Sequence, residues 1–255
     1  MIRLVPGFML FLLFIVFSAD LNAQQSQFDY ANQLMEEQRI EEAFEVYKSI
    51  HNDGYQSGEL YYNMALASMF QDSLGLAKFY LLQSAQFPGT QQDANRTLEY
   101  INEQFNRRSA VLPKLPWERF FDWLNDAFGA SALLIIGIIL FNAGIGSVIG
   151  SWFVDKNSKW LLRTGYLLGV ISILIVLSSF YLDYLDERFE TAVMIDRQTI
   201  VHQRPSDTSA SISNAYEGYT MTVDKQRSTE VNDWLYVRLE NGMYGWIEEQ
   251  RVRTF

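Results

Sequence analysis

Hydrophobic positions along this chain fall into four successive patterns, and each predicts a different kind of element. An apolar run from Phe8 to Phe17 follows a single early charge, Arg3. From about residue 26 to 106 the composition is helix-rich, with few β-branched residues. This stretch ends with a helix in "PGTQQDANRTLEYINEQF". Two stretches then carry no charge, Ala127–Val154 and Thr164–Leu182. Each is long enough for a membrane-spanning helix of about 20 residues, so spans are expected at 130–152 and 161–182. In the last quarter, "TAVMI", "YTMTV", "WLYVRLE" and "MYGWI" read as short strands. In "WLYVRLENGMYGWI", Leu235, Val237 and Leu239 share one face and Trp234, Tyr236 and Arg238 the other. Asn241-Gly242 predicts a type I′ turn between two strands, and Gly245 a kink or bulge beside Trp246.

The opening run has the layout of a secretory signal, with cleavage expected after Ala23; residues 1–23 are assigned to it. The chain contains no cysteine and two histidines, His51 and His202. Disulfides, thiolate chemistry and histidine-based metal sites therefore lack material. No nucleophile–base pair is visible, so no enzymatic activity and no cofactor are expected. The net charge of −10 argues against nucleic acid as a partner.

Residues 24–110 match themselves when shifted by 34 positions. Tyr30-Ala31 falls on Met64-Ala65, Ile40 on Leu74, Ala43 on Ala77 and Tyr47 on Leu81. This spacing resembles the tetratricopeptide repeat, two antiparallel helices per unit, which implies helices near 26–37 and 40–51, then 58–71 and 74–86, although Gln38 and Asp72 stand where that family has Gly. The last helix would cap the array. The resemblance implies a concave peptide-binding groove lined by Phe28, Asn32 and Met35 from one repeat and Tyr62, Asn63, Leu66, Met69 and Phe70 from the next; packing of these residues on the connector helix or on another copy of the chain is the competing reading. Asn32, Asn63 and Arg96 occupy positions where some such domains clamp a carboxylate; Phe28 stands where those clamps use Lys.

Pro113 and Pro116 end the helical domain. Trp117, Phe120, Phe121, Leu124 and Phe128 then follow helical spacing, which predicts an amphipathic connector at 111–129 lying at the membrane interface; packing on the repeats is the competing reading. Lys156, Lys159 and Arg163 against Asp155 make "VDKNSKWLLR" basic, which assigns the loop at 153–160 to the cytoplasm. Gly146/Gly150 in the first span and Gly165/Gly169 in the second are small-residue pairs that would let the two helices approach closely. Asn142 reads as an interhelical hydrogen bond. A linker is expected at 183–190.

The terminal segment, 191–255, resembles the bacterial SH3 (SH3b) domain through "EGYTMTV", "DWLYVRLENGMYGWI" and, more weakly, "VHQRPSDTS". Trp234 and Trp246 read as core and barrel-edge packing, which leaves Tyr219, Tyr236 and Tyr244 as a ligand surface.

The fold class is thus multidomain: all-α helical repeats, a two-helix transmembrane hairpin and an all-β SH3-like barrel. That order resembles the BatE-type membrane proteins of bacterial aerotolerance operons. The resemblance implies a non-enzymatic scaffold in the cytoplasmic (inner) membrane, multi-pass, with both terminal domains on the periplasmic side. It further implies partners among von Willebrand A-domain membrane proteins and a MoxR-type ATPase. The alternative is a tether or sensor that binds peptidoglycan through the SH3b domain.

Overall fold

Four helices near the start of the chain pair off at a fixed offset. In a computed structural model describing residues 24–105, 107, 110–154 and 158–255, they are α1 (24–36), α2 (Ile40–Asn52), α3 (Gly58–Phe70) and α4 (Leu74–Ser84). The expected signal segment and the middle of the basic loop, 155–157, lie outside the described residues. Each pair is joined by the same closure. Gln38 and Asp72, 34 positions apart, take φ of 60° and 57°. In the first turn the Arg39 amide donates to the Leu34 carbonyl at 2.9 Å; in the second, Ser73 donates to Ser68 at 3.0 Å. A left-handed residue with a bond reaching back five positions is the Schellman closure, which satisfies carbonyls a helix end would otherwise leave orphaned. The backbone thus adopts the conformation that favours Gly without having one, at roughly 1–2 kcal/mol per site.

α2 buries a single stripe, Ala43, Tyr47 and Ile50, and keeps Glu41, Glu42 and Glu45 in solvent. α5 (Gln91–Gln104) does the same with Ala94, Leu98 and Ile101 and packs on α4. α4 is different, because Gly75, Ala77, Phe79, Tyr80 and Leu81 are all buried, covering most of its circumference. A helix that is apolar on all sides needs cover on all sides. The cover comes from the end of the chain.

That end forms a seven-stranded sheet ordered β3-β2-β6-β5-β4-β1-β7. Its strands are β1 (Phe189–Met194), β2 (Gln198–His202), β3 (Ser211–Tyr216), β4 (Thr220–Asp224), β5 (Trp234–Leu239), β6 (Tyr244–Glu248) and β7 (Val252–Thr254). β1 is buried on both faces. Ala192 and Met194 enter the sheet core with Val237, Leu239 and Ile247, while Val193 enters the helical core beside Phe79, Tyr80 and Leu81. Phe255 completes the contact, its ring 5.7 Å from Phe79. Helical segment and sheet, except residues 189–190 and 224–230, form one compact unit.

The seam within that unit is built by backbone approach. A Cβ at Gly75 would stand 2.4 Å from the Met194 carbonyl oxygen. Ser73, at the N-cap of α4, makes no side-chain cap bond; instead the Gly75 amide donates to Glu217 Oε1 at 2.8 Å. Lys78 Nζ donates to the Gly218 carbonyl at 2.6 Å, and burial lowers its pKa. Gly218 has φ 79°, and a Cβ there would meet the Phe105 ring at 2.3 Å.

The second unit contains α6 (Pro116–Gly150), α7 (Ser158–Arg188) and α8 (Lys225–Ser228). α6 and α7 are both long and apolar enough to cross a membrane. Inside α6, Gly129 breaks the helical backbone with φ 72° and ψ 159°, at the boundary expected between connector and span. α7 continues helical through 183–188, where the charge pattern predicts a linker. Its last turn is held by Arg188, which pairs with Asp224 at 2.9 Å. Burial alone would raise the Asp224 carboxyl, but hydrogen bonds from Arg188 and from the Arg227 amide outweigh it and hold the group below its ordinary range.

The α6–α7 contact uses other small residues than the spacing suggested. A Cβ at Gly144 would lie 3.0 Å from the Gly165 carbonyl, and one at Gly165 2.6 Å from a Val148 methyl. Gly146 and Gly150 have no such neighbour within 4 Å, whereas the Gly169 backbone nitrogen lies 3.3 Å from a Cβ at Gly144. The reason is phase. At about 100° per residue, a position two residues from Gly144 points almost directly away from α7. Nor does Asn142 bridge the helices; its amide donates to Ile138 in its own helix at 2.8 Å. Ser172 and Ser179 do, donating to the Gly137 and Ala130 carbonyls at 2.8 Å and 2.7 Å. Gly144→Leu should therefore weaken the hairpin by roughly 1–2 kcal/mol in detergent unfolding while Gly146→Leu leaves it unchanged; equal effects would refute the assignment.

Candidate functional site

The sheet's outer face gathers aromatic rings on three adjacent strands. Strand alternation sends Leu235, Val237 and Leu239 inward and Trp234, Tyr236 and Arg238 outward. Register then sets Tyr236 opposite Trp246, Arg238 opposite Tyr244, and His202 beside Trp246. Tyr236 meets Trp246 edge-on at 5.2 Å and stacks with Tyr244 at 6.2 Å. The Arg238 guanidinium lies 5.7 Å from the centre of the Tyr244 ring. His202 Nδ1 donates to the Ser209 carbonyl at 3.2 Å, and its ring stands 5.5 Å from Trp234. Tyr244 is 49% exposed; Tyr236 and Trp246 are half-buried. Such a surface offers ring faces for stacking and one cation for an anionic group.

Two local features fix this face. The β5–β6 turn is not type I′. Gly242 has φ 83° but Asn241 stays out of the positive region. Gly242 N donates to the Leu239 carbonyl at 2.8 Å, and Leu239 N to Met243 O at 2.8 Å. This is a three-residue loop with a left-handed glycine forming a bulge. Asn241 instead accepts from the Met243 amide at 3.1 Å through its side chain. Gly245 makes no bulge either, since it pairs in register with Val237. It is glycine because β2 crosses there: a Cβ would stand 2.6 Å from Val201 Cγ1 and 2.8 Å from the His202 carbonyl. Gly245 lets the strands close, and Trp246 then projects onto the aromatic face.

Residues 192–253 match the GW (Gly-Tryp) dipeptide domain. The GW family is a bacterial SH3b-like one associated with cell-wall binding, and Gly245-Trp246 is a Gly-Trp dipeptide within the matched range. No curated protein and no solved structure matches the chain.

Of the three tyrosines expected on the GW domain's surface, the structure brings Tyr236 and Tyr244 together and separates Tyr219. Tyr219 shares the inward parity of Met221 and Val223, packs on the sheet core, and makes its ring contact with Tyr216 at 5.6 Å. Trp246, Arg238 and His202 join the face instead. The alternation of β5 carries the signal for Arg238, whereas only the register reveals His202.

The helical residues expected to line a groove divide differently. Phe28, Met35, Tyr62 and Met69 are half-buried against the helical core, Leu66 is half-buried, and the Tyr62 hydroxyl lies 3.0 Å from Thr97 Oγ1 on α5. Asn32 and Asn63 meet each other: Asn63 Nδ2 donates to Asn32 Oδ1 at 2.9 Å. Tyr47 donates to the same oxygen at 2.6 Å. Arg96 is exposed on α5, 3.8 Å from Asp93. Phe70 is 72% exposed.

Proposed function

We propose that this protein is a membrane-anchored tether that binds the cell wall through the outer face of its GW domain. The observation that carries this is the Tyr236–Tyr244–Trp246 cluster with Arg238, built on the strand pair that contains the Gly-Trp dipeptide. The helices α6 and α7 supply the anchor, and both terminal domains work on the outer side. Peptidoglycan is the ligand class. Detergent-solubilised full-length chain should sediment with purified wall sacculi. Tyr244→Ala should weaken that binding about thirtyfold, the scale of about 2 kcal/mol for an aromatic hot spot, at unchanged thermal stability. Full retention by Tyr244→Ala and by Tyr236→Ala would refute the reading.

A second reading rests on the helix pairs. Their 34-residue offset and identical closures support tetratricopeptide-type repeats, and exposed Phe70 supplies an apolar contact for a protein partner. In this reading the chain is a non-enzymatic scaffold for envelope proteins, including A-domain partners in an aerotolerance-type complex. Chains that co-purify with the wild type and are lost from Phe70→Asp distinguish it from the tether.

A further inference from the structure

We infer that the first part of α6, residues 116–128, lies in the headgroup layer of the outer leaflet and takes a lipid surface as its partner. This rests on the reading that α6 and α7 cross the membrane. Depth comes first. Ser179 donates to the Ala130 carbonyl at 2.7 Å, which sets the Gly129 break level with the outer end of α7, where the uncharged run closes at Leu182. The segment before Gly129 therefore begins where both helices leave the hydrocarbon.

The faces of that segment sort by chemistry. At about 100° per residue, Phe121 and Asn125 form an inner face, and Phe121 packs on Tyr181 of α7 with ring centres 4.7 Å apart. Arg119, Asp122 and Asp126 fall on one arc, with Asp122 paired to Lys114 at 2.5 Å. Trp117, Phe120 and Trp123 fall on a third arc and are 57%, 51% and 58% exposed. A water-facing helix would have no reason to present three large rings there. A surface helix flanking a span does, because Trp sits well at the headgroup boundary and an apolar face sinks about 5–10 Å into it. The inner contact explains why the segment stays beside the hairpin, and Gly129, with its positive φ, lets the chain turn there.

Because the chain has no cysteine, nitroxide labels can be placed one at a time in the full-length protein, in nanodiscs of phosphatidylethanolamine and phosphatidylglycerol. Labels at Phe120→Cys and Trp123→Cys should collide freely with oxygen and several-fold less with a water-soluble nickel chelate than labels at Arg119→Cys and Asp126→Cys. Ile139→Cys, within the span, reports whether α6 is in lipid at all. If Ile139→Cys is shielded from nickel but Phe120→Cys and Trp123→Cys match Asp126→Cys, the inference falls and the span stands. If Phe120→Cys and Trp123→Cys are immobile and shielded from both reagents, the face is covered by protein, which also overturns it. If Ile139→Cys is open to nickel, the spanning reading falls and takes the inference with it.

Discussion

Gly75→Val should split the unfolding of the helical domain from that of the GW domain. In the wild type, α4 and β1 share one core, so loss of helix signal and the change at Trp234 and Trp246 should coincide; residues 24–110 contain no tryptophan, and Phe in place of Trp117, Trp123, Trp152 and Trp160 leaves these two as the reporters. The new Cβ would stand 2.4 Å from the Met194 carbonyl and 2.9 Å from Ile195 Cα. Both are backbone atoms, so neither can swing aside as a side chain would. Overpacking of this kind costs about 3 kcal/mol, and it displaces Glu217 from the end of α4 as well. Glu217→Ala alone removes only the cap and should cost about 1 kcal/mol. Gly89→Val is the matched control, because a Cβ there has only Glu59 Oε1, at 4.0 Å, for company. Circular dichroism and tryptophan fluorescence followed through one thermal ramp decide the matter. Coincident transitions in Gly75→Val would mean the seam is not what couples the two.

That seam was the least legible part of the chain, and the reason is physical. Glu217 caps a helix 142 positions upstream, and no local pattern relates an acidic turn residue to a distant helix end. One trace was present: "LGLAKFYLL" is apolar around the whole helix, which states that a cover exists without naming it. Likewise the "AVM" of β1 reads as a strand, but only the fold shows that its two faces serve two cores. What depends on period was readable. The helix offset, the uncharged runs and the alternation of β5 follow from 3.6 and 2 residues per repeat. What depends on phase or register was not. The Gly-x-x-x-Gly spacing finds small pairs but not their direction, so Gly144 does the work assigned to Gly146. Asn-Gly permits a type I′ turn, yet the Arg238–Tyr244 pairing leaves a longer loop, and the glycine serves a bulge. β3, "SISNAY", offers few apolar residues because it lies at the sheet edge, and β7 is three residues long; neither length nor alternation could announce them.

Asn32→Leu should destabilise the helical domain by about 2–3 kcal/mol, the cost of stranding two polar partners. Asn32 Oδ1 accepts from Tyr47 and from Asn63 at once, tying α1, α2 and α3 together at one atom. The Tyr47 ring is fully buried, and burial pushes its hydroxyl pKa up to about 12, so the group cannot turn to water when its acceptor is removed. Tyr47→Phe should cost about 1 kcal/mol, since it deletes the donor together with its need. The double variant should then lose less than the sum of the two, because residues that share a hydrogen bond couple by about 0.5–3 kcal/mol. The same geometry bears on the carboxylate clamp that the repeat spacing suggested. An oxygen already holding two donors, beside an amide already spent on it, has little left for a ligand. Equilibrium denaturation of the full chain in detergent, followed at 222 nm, measures all three variants. If Asn32→Leu proves as stable as the wild type and instead abolishes capture of a partner, Asn32 is a ligand contact and this network is not what holds the three helices together.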